Sequence, residues 1–225
     1  MLGTGHTMHP NGSNGMRKHQ QGFTLVEIAI VLVIIGLLLG GILKGQEMIT
    51  QAKIKNVVAD FSGISAAYYG YQDRYRAIPG DDAKADRWTG GVVGNGNGTV
   101  EGKYNYTTDD TVESRKWWDH LRRAGFVGGS GYQQPVNALV GMIGVETGDG
   151  ASGTALGGFA SLIMCSTNLP DKVAIAVDSQ MDDGVSHTGG VRAQLQTPGT
   201  PDIAAAATSP YAETGTNIYI LCRQI

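Results

Sequence analysis

The chain has 225 residues, with 17 Lys and Arg against 20 Asp and Glu, enough for one ordinary domain plus an appendage. This slightly acidic balance argues against an electrostatic nucleic-acid binder, which presents a basic face. The 34 glycines lie mostly after residue 79 and point to a loop-rich β domain, while recurrent Val, Ile, Leu, Trp and Tyr argue against disorder.

Residues 1–15 are polar and rich in Gly, Asn and His. His6, His9 and His19 scatter through residues 1–22 without the spacing of a metal site. Met16 precedes Arg17 and Lys18 and offers an internal start. From Phe23 to Leu43 the chain runs through 21 residues with a single charge, Glu27. As a helix this segment spans about 31 Å, the thickness of a bilayer core. Basic residues precede it, so its N-terminal end is expected on the cytoplasmic side, with the bulk of the chain outside. An ordinary secretory signal has a shorter apolar stretch and a small-residue cleavage site; no Ala-x-Ala follows this one. An uncleaved anchor leaves Glu27 unexplained, because a carboxylate there costs roughly 2.5–3.5 kcal/mol in lipid. Such a residue needs a partner.

The order basic leader, Gly22, Phe23-Thr24-Leu25-Val26, then Glu27 resembles the cleavage and methylation signature of type IV prepilins and pseudopilins. The resemblance implies cleavage between Gly22 and Phe23 by a prepilin peptidase and N-methylation of the new terminus at Phe23. It implies that Glu27 pairs with the terminal amine of a neighbouring subunit, offsetting two charges that are costly alone in an apolar bundle. It also implies an α+β, pilin-like fold: a long N-terminal helix, membrane-spanning in its first half, packed on a small C-terminal antiparallel sheet. The expected organisation is a leader over 1–22, an assembly half of the helix over 23–45, an amphipathic half over 46–79, and a Gly-rich globular domain over 80–225. With Arg17 and Lys18 removed, 15 basic residues face 20 acidic ones in the mature chain.

Gly36, Gly40, Gly41 and Gly45 make two small-xxx-small pairs, which let helices approach closely in an apolar medium. Each also weakens the helix by about 1 kcal/mol relative to Ala. They are read here as assembly residues, with ordinary membrane-helix glycine as the alternative. Prepilin relatives often carry a proline in this region, and this sequence has none.

Beyond Leu43 the apolar spacing becomes three and four: Ile54, Val57, Phe61, Ile64, Tyr68, Tyr71, Tyr75, Ile78. That is a helical stripe, suited to a sheet or to a two-chain coiled coil. Lys53, Lys55, Asp60, Gln72, Asp73 and Arg74 occupy the other face, and Pro79-Gly80 is expected to stop the helix near Ile78.

In the remainder, Thr111–Ala124 fits a short helix with a Ser or Thr cap and Gly125 as its end. Trp117, Trp118 and Leu121 form its apolar side, and His120 reads as a surface residue. Phe159–Cys165, Val191–Leu195 and Ile218–Cys222 read as strands. Lys172–Met181 suits a helix, with Val173, Ala174, Val177 and Met181 inward, or a strand by its alternating Val173, Ile175 and Val177. Stretches 90–103 and 144–158 read as Gly-rich loops. Cys165 and Cys222, in an exported domain, are expected to form a disulfide. It closes a loop of 58 residues counting both cysteines and is worth about 4 kcal/mol by chain entropy. Ile78-Pro79-Gly80-Asp81, Trp118–Gly125 and Asp182-Asp183-Gly184 are similar to segments of one prepilin-like subgroup.

Asp178, Asp182 and Asp183 offer oxygen ligands of the kind calcium takes, as do Asn95, Asn97 and Asp109; major pseudopilins bind calcium in a C-terminal loop. None of these spacings is an EF-hand, and Asp-Asp-Gly is also a common turn. No cofactor is otherwise expected. Gly-x-Ser-x-Gly, His-Glu-x-x-His and P-loop patterns are missing from the sequence, so an enzyme is not expected. The functional expectation is a structural filament subunit, of a pilus or a type II secretion pseudopilus. Its partners would be other subunits, the prepilin peptidase and methylase, and an inner-membrane assembly platform. A mature chain of 203 residues (225 less 22) is large for an abundant pilin and favours a minor subunit. The alternative is a membrane-anchored binding domain outside the cytoplasm that does not assemble.

Overall fold

A computed structural model describes residues 23–148, 156, 158–197, 203 and 209–225. Gly22 and the rest of the leader lie outside the described residues. Helix α1, Leu25–Tyr75, is unbroken. The chain divides into two compact units, one ending at Gly45 and the other running from Gln46 to Ile225. In the first unit nearly every side chain of α1 is exposed, and the helix is long and apolar enough to cross a membrane.

In the second unit the three-four stripe of α1 lies in the core. Ile54, Val57, Phe61, Tyr68 and Tyr71 are buried, and Ile64, Tyr75 and Ile78 pack half-buried against them. The coiled-coil alternative is therefore not taken, because the stripe packs within its own domain. The helix stops at Tyr75, three residues before the expected end. The N–H of Arg76 still bonds Gln72 O, but Arg76 takes a left-handed φ of 53°. Ile78, preceding Pro79, is sterically pushed out of helical geometry as well.

Among the described residues, four antiparallel strands follow in the order β1-β2-β4-β3. They are β1 (Ile143–Thr147), β2 (Leu162–Pro170), β3 (Val191–Leu195) and β4 (Ile218–Gln224). The fold is thus α+β and pilin-like. β1 falls where a Gly-rich loop was expected. Gly144 serves the strand because a Cβ there would strike the backbone carbonyl of Tyr104. β2 runs five residues beyond Cys165, with an irregularity between Ser166 and Leu169, where Asn168 has φ 61°. Both outer strands are covered: Ile143 N bonds Pro135 O and Thr147 N bonds Val100 O on β1, and Ala193 N bonds Ser186 O on β3. Covered edges cannot template pairing with another chain.

Helix α2 is Glu113–Arg123 and helix α3 is Asp171–Met181. The helical reading of 172–181 is the one observed, with Val173, Ala174 and Val177 buried and Met181 half-buried. One face of the sheet packs with α1, α2 and α3. The other carries a smaller cluster of Tyr104, Leu156, Phe159, Ile163, Cys165, Ile220 and Cys222.

Helix α2 departs most from expectation. Trp117, Trp118 and Leu121 are in the core, but so are Glu113, Ser114, Arg115, Lys116, Asp119 and His120. These polar groups are satisfied by loops wrapped around them. Glu113 accepts from the N–H groups of Asn95 and Glu101, and the Ser114 hydroxyl donates to Lys103 O. Lys116 donates to Val93 O, and Arg123 to Asp119 and Thr89 O. His120, expected on the surface, is fully buried. The expected Ser or Thr cap is not used either. Val112 occupies the N-cap position, while Thr111 turns its hydroxyl to Asp109. Gly125, at φ 79°, closes the helix as expected. Its N–H bonds Arg122 O and that of Phe126 bonds Leu121 O, which satisfies the last carbonyls.

Candidate functional site: the N-terminal assembly segment

The start of α1 is built by two side chains. The N–H of Glu27 bonds the Thr24 hydroxyl oxygen at 3.3 Å. In return Glu27 Oε2 accepts from the Thr24 N–H at 2.8 Å and from its hydroxyl at 2.9 Å. This reciprocal pair is a capping box, satisfying two backbone donors that a helix start otherwise leaves open. It also sets a negative charge at the positive end of the helix dipole. Thr24 was not singled out from the sequence, although Thr-x-x-Glu ahead of an apolar run is its signature.

Phe23 is 83 % exposed, and the side chains of Leu25, Val26, Ile28 and those onward to Leu43 stand largely free. An apolar surface of this kind is covered by lipid or by other helices. Beyond the local backbone of α1 itself, no atom lies within 4 Å of where a Cβ would stand at Gly36, Gly40, Gly41 or Gly45, and α1 stays helical through all four. Each pair thus leaves an open notch one turn long at which another helix can come close.

Cys165 and Cys222 are paired residues of β2 and β4, both fully buried, and the structure joins them as a disulfide. They stand inside the sheet and not at strand ends as expected.

Ligand oxygens of Asp178, Asp182 and Asp183 lie within 4.8 Å of one another. Each carboxylate already accepts from protein donors. Asp178 takes the Gly184 N–H and the Tyr211 hydroxyl, Asp182 the Val191 N–H, and Asp183 the Val185 N–H and the Thr188 hydroxyl. Burial raises the pKa of Asp178, against the hydrogen bond from Tyr211. The geometry is that of a turn closing α3, and a calcium ion would have to share or displace these donors. In the other candidate set, Asn95 and Asn97 donate to Glu101, while Asp109 accepts from Thr111.

No curated protein matches the chain. Residues 17–43 match a family model described as the prokaryotic N-terminal methylation motif. The match covers the end of the leader, the capping box and the apolar run, and leaves the globular part outside it. That motif is the hallmark of type IV prepilins and pseudopilins, structural proteins processed by a prepilin peptidase and assembled with other subunits, and the N-terminal segment of this chain carries it.

Proposed function

We propose that the chain is a minor subunit of a type IV filament, a pilus or a type II secretion pseudopilus, seated within the fibre with another subunit ahead of it. The observation that supports this most is Glu27, a carboxylate at the first turn of an otherwise exposed apolar helix. Held by Thr24, it is already aimed at the helix start, where a neighbour's N-terminal amine would arrive. In that setting both charges leave lipid or solvent together, and the ion pair offsets the cost of burying either. The mature length of 203 residues, 225 less 22, supports a minor subunit. Before assembly the protein sits in the bacterial inner membrane as a single pass with its C-terminal domain outside the cytoplasm. Later it stands in a periplasmic or surface filament. The inner-membrane assembly platform and the peptidase and methylase are its partners, and no cofactor enters the role.

The test is competition between tagged wild-type and Glu27→Val chains for sheared or overexpressed filaments. The variant should be made, inserted and cleaved before Phe23, yet incorporated poorly, because an amine left buried and unpaired costs about 3–5 kcal/mol. Glu27→Asp should be intermediate. Equal incorporation of Glu27→Val would leave a membrane-anchored binding domain as the better reading.

A further inference from the structure

Two Asn-Gly pairs, Asn95-Gly96 and Asn97-Gly98, follow one another in the loop ahead of α2. Asn-Gly is chemically fragile, because glycine shields its backbone nitrogen least. That nitrogen loses its proton and attacks the Asn Cγ. The new N–Cγ bond closes a succinimide as the Cγ–Nδ2 bond breaks, and the side-chain nitrogen leaves as ammonia. Water then opens the ring to aspartate or isoaspartate. The net change is one water in and one ammonia out.

Both attacking nitrogens are held by one carboxylate. Asp81, buried after the turn that ends α1, accepts from Gly96 N at 2.6 Å and from Asn97 N at 3.0 Å with Oδ1, and from Gly98 N at 2.8 Å with Oδ2. The Asp81 backbone carbonyl takes a second bond from Gly96 N. A negative charge against each N–H makes the nitrogen anion costlier to form and fixes the nitrogen away from attack. The Asn side chains are held too. Both donate Nδ2 to Glu101 Oε1, at 3.1 and 2.8 Å, while Asn95 Oδ1 accepts from Asn97 N and Asn97 Oδ1 from Thr99.

We propose that Asp81 is a positioning residue that keeps Asn95 and Asn97 from deamidating, and that this loop is a latent modification site opened when the clamp is lost. Deamidation would be one-way in structure as well as in chemistry. Each new carboxylate would replace a donor to Glu101 with a like charge, and the Glu101 N–H is also a tie to Glu113 on α2. The loop would then come off the helix it wraps.

The test uses the full-length chain in detergent, aged at mildly alkaline pH, with peptide mapping of Asn95 and Asn97 by mass. The same chain unfolded in urea supplies the intrinsic rate. The folded wild type should deamidate at both sites at least about tenfold more slowly than the unfolded chain. Asp81→Asn, which keeps the shape and removes the charge, should recover about tenfold at one or both sites, the factor expected for losing a charge-assisted hydrogen bond. Near-ultraviolet circular dichroism checks that this variant is folded. If it does not fold, amide exchange in the wild type decides: Gly96 and Gly98 should exchange slowly, and exchange at unfolded rates overturns the proposal. Equal deamidation in the folded and unfolded wild type, or a folded Asp81→Asn protein as durable as the wild type, overturns it too.

Discussion

His120 Nδ1 accepts the backbone N–H of Gly80 at 2.9 Å, so a side chain of α2 closes the turn that follows α1. Its Nε2 lies 2.8 Å from Val92 O and must be the donor there, which makes the ring neutral. Tyr71 and Trp88 rings lie beside it, and Asp82, Asp119 and Lys116 are the charges that bear on it. Burial holds its pKa below the usual histidine value, against the upward pull of the Val92 bond and the two aspartates. The unfolded chain therefore binds this proton more readily than the folded one. Its contribution is complete above about pH 6.5 and is lost as pH falls toward the folded pKa, by at most about 1.4 kcal/mol per unit. Urea unfolding between pH 8 and 5 should show that slope, and His120→Asn should flatten it. Asp178, whose pKa burial raises, acts in the opposite sense: its contribution is complete below the usual aspartate value and is lost as pH rises from there through the folded pKa.

Tyr71 donates to Asp82 Oδ2 at 2.6 Å, and Arg87 grips the same carboxylate at 2.8 Å. Burial works upward on Asp82, but the bonds from Tyr71, the Lys84 N–H and Arg87 together hold its pKa below the usual range. Tyr71→Phe should cost about 1–3 kcal/mol in chemical denaturation, because it leaves a buried acceptor short of a donor. It should also move the acid-unfolding midpoint upward. A variant as stable as the wild type would show that Arg87 and the Lys84 N–H suffice.

The disulfide joins β2 to β4, and β4 lies between β2 and β3. Cys165→Ser or Cys222→Ser should lower stability by about 2–5 kcal/mol. Protein taken from its native envelope should resist alkylation until reduced. Free thiols in such protein would refute the pairing.

Val140 is 80 % exposed and has a φ of 61°, a conformation poorly suited to a β-branched residue. It is held there by Asn137, whose side chain accepts from Leu139 N and Gly141 N and donates to Ser166 and Thr167 O. Little packing is lost at so open a site. Val140→Asn should therefore raise stability by about 1 kcal/mol, seen as a higher urea midpoint. Asn137→Ala should lower it by roughly 1–3 kcal/mol, since it strips four bonds from a buried turn.

The features that depend on neighbours in sequence were readable without coordinates. The apolar run with Glu27, the three-four stripe from Ile54 to Tyr71, strand β3 and the Gly125 helix end each follow from spacing or from one residue's allowed backbone. The capping box of Thr24 and Glu27 was equally local and equally legible, though it went unread. What sequence could not reveal was the inside of α2. A helix composed as Glu-Ser-Arg-Lys-Trp-Trp-Asp-His looks solvated on its polar side, because burying such groups is costly unless each finds a partner. Those partners lie up to 40 residues away, at Gly80, Val92, Val93, Asn95 and Lys103. Only the folded loops bring them within hydrogen-bond reach, so the burial of His120 and the grip of Asp81 on two glycine nitrogens are properties of the tertiary structure.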